Sequence, residues 1–575
     1  MGVDPRTAAQ ALSLIASYLE LHGENRFKAK AYDTAARALR GVNSDDLTSL
    51  LESGELAGVR GLGPATLAVV RDLVEHGQSR YLEQLRATTP EGLLEMLRVP
   101  GLTPAKIHKL HEGLGIQTVE ELEEAARDGR LAKLPRYGKR TSDRILQGIA
   151  VMRARGAQRL YHVALAEGER LTAMVEAHPA VIRATCGGPL RRHCETVGNL
   201  DVVAACREDP KAVAQSFTRI GGVRSASGSG ASVEILFVDG ITLRLHCALE
   251  RDFGLTLLAG TGSAEHVAGV AARLIERGFE IGGGGLMKKG VAVPTPDERT
   301  VYSLADLEYV DPAMREGLGE IDLAARRALP TLIADDDLAG VLHCHTVYSD
   351  GKATVAEMAR GAQERGWSYI GISDHSKAAF YAGGLTEREL ETQIEEIDDF
   401  NASGASAVRV LKGIEADILA DGTLDYDREL LGRLDFVIGS IHSRFSMNRE
   451  AMTARILHAL DDPRLTILAH PTGRLLLNRE PYALDVEAVL EKALAVGAAV
   501  EINADPHRLD LDWRHVMRAR ELGVTIAIGP DAHSVRSLDY VFAGVGMARK
   551  AWLEPANVLN TRSADDVLAF ARARR

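Results

Sequence analysis

Between residues 343 and 533 the chain carries nine side chains of the kinds that ligate divalent metals: His343, His345, Asp350, His375, Glu415, His442, His470, Asp531 and His533. Imidazoles and carboxylates without thiolate suit Mn2+, Zn2+ or Fe2+, and the set is large enough to predict a trinuclear site. Clustered cations activate water for attack on phosphorus and stabilise the leaving oxygen, so phosphoester hydrolysis is the expected reaction class. A single histidine in an apolar run is as readily a satisfied core residue as a ligand. Nine such groups in one pattern are not explained that way.

The elements that must position these ligands alternate. The apolar runs 340–342, 369–372, 410–414, 436–441, 466–468, 498–502 and 525–528 read as buried parallel strands, with amphipathic helices between them. Each ligand falls at the end of a run or just after it, where barrel strands present catalytic groups. Seven βα repeats predict a barrel. Cys344, set between two inward histidines, is expected to point away from the metals.

At 575 residues the chain should hold several domains, and its composition is that of a globular protein. The five cysteines lack metal-finger spacing, which predicts a reducing compartment and a cytoplasmic protein. Residues 1–6 have no apolar core for a signal peptide and no run elsewhere spans a bilayer, so no membrane partner is expected. The net charge of −12 argues weakly against nucleic acid, because metal-site carboxylates contribute to it and local patches can still be basic.

Residues 7–150 are helical by period. Within them a glycine hairpin followed by a helix start occurs three times: Val59-Arg60-Gly61-Leu62-Gly63-Pro64-Ala65, Val99-Pro100-Gly101-Leu102-Thr103-Pro104-Ala105-Lys106 and Leu134-Pro135-Arg136-Tyr137-Gly138-Lys139-Arg140. Glycine lets backbone approach a phosphate, which then meets amides at a helix N-terminus. The pattern resembles the helix-hairpin-helix, a reader of DNA backbone without sequence preference. Gly61, Gly63, Gly101, Thr103 and Gly138 are the candidate contacts.

From about residue 160 strand character increases. The segment from Cys186-Gly187-Gly188-Pro189-Leu190-Arg191-Arg192 to Asn199-Leu200-Asp201-Val202-Val203 resembles the nucleotidyltransferase signature of X-family DNA polymerases. With three hairpins before it and nine ligands after it, nearly the whole chain is similar to bacterial X-family polymerases that carry a C-terminal polymerase-and-histidinol-phosphatase (PHP) domain. The resemblance implies a multidomain α plus α/β fold. Its parts are an 8-kDa-like helical domain over 1–85, helix-hairpin-helix fingers over 86–155, a nucleotidyltransferase-like palm over 156–250, a thumb over 251–312, a linker over 313–338 and a distorted (βα)7 PHP barrel over 339–575.

The same resemblance implies a ligand partition. His343, His345, Glu415 and Asp531 would hold one ion, Glu415 would bridge to a second on His442 and His470, and Asp350, His375 and His533 would hold a third. Arg474 and Arg508 are candidates for neutralising the phosphate, or else barrel-rim residues. Implied too are Mn2+-dependent 3'-5' exonuclease activity, DNA partners with gaps, nicks or free 3' ends, a deoxynucleoside triphosphate at the palm, a monomeric state and a nucleoid-associated place in the cytoplasm.

The palm departs from its family. Gly188, Arg191, Arg192, Thr261, Gly262 and Ser263 stand at nucleotide-binding positions, but Pro189 replaces the phosphate-binding serine, and Ala259 and Gly260 replace two aromatics. Two-metal nucleotidyl transfer needs three carboxylates. Asn199 stands at the first, Asp201 keeps the second, and Arg244 falls at the third. Such a palm is expected to hold Mg2+ or Mn2+ poorly and to synthesise DNA weakly or not at all. The alternative is a shifted alignment in which Asp239, Glu234 or Glu195 supplies a carboxylate and the chain is a bifunctional polymerase and exonuclease. The helix after the first hairpin has no lysine over 65–71, so Schiff-base lyase chemistry is not expected there. A small-molecule phosphatase is a further reading, against which the three hairpins count.

Overall fold

The structure is a computed structural model. It describes residues 5–24, 26–40, 47–59, 61–76, 79–97, 99–135, 137–155, 158–237, 240–282 and 285–574. Residues 1–4, Arg60, Arg136 and Asp239, which entered the sequence reading, lie outside the described residues. The chain forms two compact units, 1–156 and 157–575. Among the described residues no helix is long and apolar enough to cross a membrane.

Among the described residues the regular elements of the first unit are all helices, and each hairpin leads into a helix as its sequence dictates. Pro64–His76 starts on a proline whose fixed φ suits the first helical position. Gly61, at φ 106°, turns the chain before it, and the Gly63 N–H donates to Thr66 Oγ1 at 2.9 Å. Pro104–Leu114 is capped by Thr103, whose hydroxyl accepts from the Lys106 N–H, and Gly101 (φ 86°) makes the preceding turn. Gly138 precedes Lys139–Arg155 and accepts from the Thr141 N–H at 2.8 Å. The second and third hairpins line one groove with Lys106, Lys109, Tyr137 and Arg144. Lys28 and Tyr32 line another beside Gly61 and Gly63.

The second unit contains a five-stranded sheet of β1 (Val181–Cys186), β2 (Leu200–Cys206), β3 (Val223–Ser227), β4 (Ser232–Phe237) and β5 (Thr242–Leu249). Their order is β1-β2-β5-β4-β3, with β2 and β5 parallel and the other pairs antiparallel. Period-two alternation on β5 sends Leu243, Leu245 and Cys247 into the core and leaves Thr242, Arg244 and His246 on the opposite face. A small antiparallel sheet of β6 (Glu280–Gly282), β7 (Gly285–Lys288) and β8 (Val291–Val293) follows.

The stretch 313–338, expected to be a linker, is packed rather than free. Met314, Arg315, Glu320 and Ala324 within it are buried. The acidic turn Asp335–Asp337 is solvated along its whole length, as its composition suggested, and so are 317–319 and 325–328.

The barrel strands are β9 (Gly340–Cys344), β10 (Tyr369–Ile372), β11 (Arg409–Lys412), β12 (Glu415–Asp417), β13 (Ile438–Ser440), β14 (Ile467–Leu468), β15 (Ala499–Asn503) and β16 (Ile526–Gly529), every pair parallel. The seven apolar runs appear as eight segments because the third run is broken between β11 and β12. Gly413 sits at the break, where a Cβ would meet the Phe436 ring at 2.2 Å. Parallel bridges from Cys344 to Ala532 and from His375 to Glu415 join the two resulting sheets at both edges and close the barrel. Leu342, Tyr369, Leu411, Phe436, Ile438 and Ile467 form one apolar cluster, and the alternate residues pack with the surrounding helices in another. The break is useful to the site: it brings Glu415 level with His375.

Candidate functional site

All nine candidate ligands converge at the C-terminal ends of the barrel strands. Glu415 is the centre of the arrangement, with a carboxylate oxygen 2.7 Å from His375 Nδ1, 2.9 Å from His470 Nε2, 3.4 Å from both His343 Nε2 and His442 Nε2, and 3.8 Å from His345 Nε2. Asp531 lies 3.2 Å from His345 Nε2 and 3.7 Å from His343 Nε2. Asp350 lies 3.2 Å from His533 Nε2 and 3.7 Å from His375 Nε2. Donor atoms fall into four overlapping groups: His343, His345 and Glu415; His343, His470 and Asp531; His375, Glu415 and His442; and His345, Asp350, His375 and His533. These groups overlap the partition implied by resemblance without reproducing it, since His375 approaches Glu415 as well as Asp350. Cys344 is buried and belongs to none of them.

Three of the nine, His343 (φ 68°), His470 (φ 27°) and Asp531 (φ 50°), hold left-handed backbone that β-carbon residues avoid. Such strain persists where surrounding structure overdetermines a conformation that function requires.

Residues absent from the sequence reading orient the ligands. Glu501 takes the other ring nitrogen of His343, with Nδ1 to Oε1 at 2.5 Å, and its second oxygen accepts the His470 backbone N–H at 2.8 Å. Asp417 holds His442 Nδ1 at 2.6 Å, and Asn503 Nδ2 donates to Asp531 Oδ2 at 3.0 Å. A partner on the far nitrogen fixes which nitrogen faces the cluster. Two signals were available for these residues. Asp417 lies two positions after Glu415, on the same face of its strand, and Glu501 and Asn503 interrupt an apolar run with polar groups at period two.

The electrostatics follow from burial and crowding. Burial opposes ionisation of Glu415, but the charges of His375, His442 and His343 outweigh it and hold the carboxyl well below the usual range. Burial pushes His345 down to about 4, helped by His375 and His533. It pushes His470 to about 4 also, helped by Arg508. Burial acts against protonation of His442 too, yet Glu415 and Asp417 raise it to about 10.

The two arginines divide. Arg508 leans over the cluster with Nε 3.6 Å from Asp531 Oδ2. Arg474 does not serve there: its guanidinium donates to the carbonyls of Arg508 and Leu509 and to Asp512 at 2.8 Å, and lies 3.6 Å from Glu195. It therefore braces the loop that carries Arg508 rather than facing a phosphate.

The palm face differs. Asp201 pairs in register with Arg244 on the neighbouring parallel strand, and Glu234 pairs with Arg244 from the other side, at 2.9 Å from its Nε. His246 Nε2 lies 3.7 Å from Asp201 Oδ1. Asn199, half-buried, precedes Asp201 by two positions. Glu234 is thus two strands from Asp201, with Arg244 on the strand between, and Glu195 is turned to Arg474 and Arg514, at 3.6 Å from each. The turn at Gly188 (φ 59°) lies against Asp201, whose Oδ2 a Cβ would meet at 2.1 Å, and the Gly188 N–H donates to Gly260 O.

The arginines expected to face a triphosphate are engaged elsewhere. Arg191 forms a two-pronged pair with Glu298 at 2.9 and 2.7 Å and donates to Thr261 Oγ1. Arg192 pairs with Glu316 at 2.9 Å and donates to Thr261 O. Ser263 caps the helix Ala264–Glu276, and Gly262 abuts His266. Glu298 also binds buried Arg315, and Glu316 also binds Lys550 of the helix Val541–Lys550. Acidic partners thus occupy each cation of the turn.

Comparison with known proteins agrees with this organisation. Family models match as a helix-hairpin-helix domain over residues 5–79, a SAM-like helix-hairpin-helix tandem over 93–150, a DNA polymerase beta thumb over 256–316 and a PHP domain over 342–503. The DNA polymerase/3'-5' exonuclease PolX of Bacillus subtilis is 36% identical over 98% of this chain and 98% of its own length. A probable phosphatase of Caldanaerobacter subterraneus is 28% identical over 40% of this chain and 91% of its own length. A probable phosphatase of Thermoanaerobacter is 30% identical over 38% of this chain. With hairpin unit, thumb and PHP barrel on one chain, and with a full-length relative of that kind, this protein belongs to the PolX family of X-family DNA polymerases with a PHP domain.

Proposed function

We propose that this chain is a metal-dependent 3'-5' exonuclease and phosphoesterase that processes DNA ends from its barrel, and that its polymerase core is weakened or inactive. One observation carries the barrel reading. His343 Nε2, His345 Nε2, His375 Nδ1 and Glu415 Oε2 are buried and face one another at 2.7–3.8 Å without forming a well-aligned hydrogen bond. Buried polar atoms are normally satisfied, and lone pairs massed around one point fit cations.

The nine ligands would hold up to three divalent ions, with Mn2+, Zn2+ or Fe2+ suited to the donor set. When bound, such ions supply Lewis acidity and a water acidic enough to act as nucleophile. The protein supplies the rest. Glu501, Asp417 and Asn503 lock ligand orientation, His345 and His470 are held neutral and so present lone pairs, and Arg508 places a cation where a phosphodiester oxygen would bind. The hairpin unit would bring DNA backbone to the molecule, which favours a DNA end over the small substrates of a free phosphatase.

At the palm, Arg244 in register with Asp201 supports the weakened reading, because a cation there repels the metals that nucleotidyl transfer needs. Labelled single-stranded and gapped DNA, incubated with Mg2+ or Mn2+, tests both centres together. Degradation is expected with Mn2+ and should fall by about a thousandfold or more in Glu415→Gln. Degradation that survives this change overturns the barrel assignment. Efficient primer extension with Mg2+, abolished by Asp201→Ala, overturns the palm assignment.

A further inference from the structure

The barrel mouth carries an aromatic feature that the hydrolytic chemistry does not use. Phe380 is 84% exposed, the most exposed large apolar side chain among the described residues, and its neighbour Tyr381 is 62% exposed. They form the short turn Phe380–Ala382, and their rings meet edge to face at 6.0 Å. Tyr381 in turn stands edge to face with His442, at 6.2 Å between centroids. The pair therefore runs outward from the ligand cluster into solvent.

The loop that carries them is braced from both ends. It leaves the barrel at His375 and returns there, with the Leu385 N–H donating to His375 O at 2.9 Å. The Ala378 N–H donates to Asp425 Oδ2 at 2.7 Å, Lys377 pairs with Glu387 at 2.5 Å, and the Gly384 N–H donates to Ala379 O at 3.2 Å. An exposed phenyl ring adds nothing to the core, yet this one is held on a preorganised support beside the cluster. Preorganisation lowers the entropic cost of engaging a ligand.

We infer that Phe380 and Tyr381 are a stacking platform for the nucleobases flanking the scissile phosphodiester at a single-stranded 3' end. The inference rests on the hydrolytic reading above and names the substrate feature it would select. A phosphate alone is served by the imidazole cluster and Arg508. A nucleotide strand also brings flat, weakly hydrated rings a few ångströms from that phosphate, and any base stacks on an aromatic face without sequence preference. A small phosphomonoester without a base has nothing to place there, so the platform would favour polymer over monomer.

The test uses the full chain with Phe380→Ala and Phe380→Trp. The measured quantity is the ratio of kcat/KM on a single-stranded oligonucleotide to kcat/KM on glycerol 2-phosphate, both with Mn2+. This ratio should fall roughly tenfold in Phe380→Ala and recover in Phe380→Trp. An unchanged ratio, or a loss that Trp fails to restore, overturns the platform. Binding without hydrolysis supplies the second readout. With metal chelated, 2-aminopurine in either of the last two positions of the strand should be quenched by wild-type protein and less by Phe380→Ala. Equal quenching by both overturns the inference. If wild-type protein hydrolyses neither substrate, the hydrolytic reading has failed by itself, and the quenching comparison still decides whether the rings stack on bases.

Discussion

The palm and the barrel both present acidic groups at the ends or edges of parallel strands, yet they treat charge in opposite ways. In the barrel, five imidazoles surround one carboxylate, and several of their nitrogens are left without partners. In the palm, each cation of the nucleotide-binding turn has a carboxylate of its own, and Arg244 stands beside Asp201. A site kept ready for ligands leaves donors unsatisfied, at a cost in folding. A site whose donors satisfy one another spends them on structure. On this comparison the palm arginines brace the second unit, and the barrel donors are arranged as cations would need them.

The largest effects should follow from exchanging these roles. Glu415→Gln removes the charge that five imidazoles share, so metal content measured by plasma emission should fall along with hydrolysis. Asp201→Asn should leave bound metal unchanged. Equal metal loss in both variants would mean that the palm also holds ions, and the contrast would collapse.

Next come the palm carboxylates. Glu298 sits among Arg191, Arg315 and Tyr309, and Arg315 is fully buried. Removing one member of a buried pair leaves an uncompensated charge, so Glu298→Ala should destabilise the second unit by about 3–5 kcal/mol in urea unfolding. The same network sets a pH dependence. Burial would raise the Glu298, Glu316 and Glu320 carboxyls, but hydrogen bonds and charges from Arg191, Arg315, Lys550, Arg192 and His266 outweigh it and hold all three below the ordinary glutamate value. Groups depressed in the folded state stabilise it above their unfolded pKa, and that stability is lost as pH falls through the folded pKa. The melting temperature should therefore hold down to about pH 5 and drop below about pH 4. If Glu298→Gln melts with the wild-type acid profile, the carboxylate does not carry this stability.

The groups behind the ligands come third. Asp417→Asn keeps shape but weakens the hold on His442 Nδ1, and changes of this kind typically cost about 10–100-fold in metal affinity. Titration with Mn2+ followed by its electron paramagnetic signal measures the shift, and an affinity equal to wild type would place Asp417 outside the site.

Much of the barrel was legible because its signals are local. A buried parallel strand is a short apolar run, and a ligand follows it within three residues, so His343, His375, Glu415 and Asp531 could be read in order. The break at Gly413 was not legible, since it depends on the Phe436 ring arriving from the next strand. Nor was the fate of Arg191 and Arg192. Their partners, Glu298 and Glu316, stand more than a hundred residues later, and no spacing rule connects them. The role of Arg474 was hidden for the same reason. Matching to the family's third carboxylate position put Arg244 on the strand that proves to lie beside that of Asp201, and the strand pairing sets the two residues in register.

The smallest predicted effect tests whether the two regions are as separate as their chemistry. Glu195, on the palm side, is 3.6 Å from Arg474, whose guanidinium holds the carbonyls of Arg508 and Leu509. Arg508 in turn reaches toward Asp531. A chain of contacts thus runs from the palm to the cation that would meet the phosphate. Glu195→Gln keeps the volume and removes the charge, so Arg474 should relax and Arg508 lose some precision. The exonuclease KM should rise less than tenfold, with metal content unchanged, because no ligand is touched. Arg514→Gln is the control: Arg514 also pairs with Glu195 but is 62% exposed, and it reaches Arg508 only indirectly, through the Glu195 and Asp512 carboxylates it shares with Arg474. Exposed pairs contribute little. If both variants raise KM equally, the effect comes from general loosening of the palm and barrel contact. If Glu195→Gln alone does so, the palm tunes the barrel site.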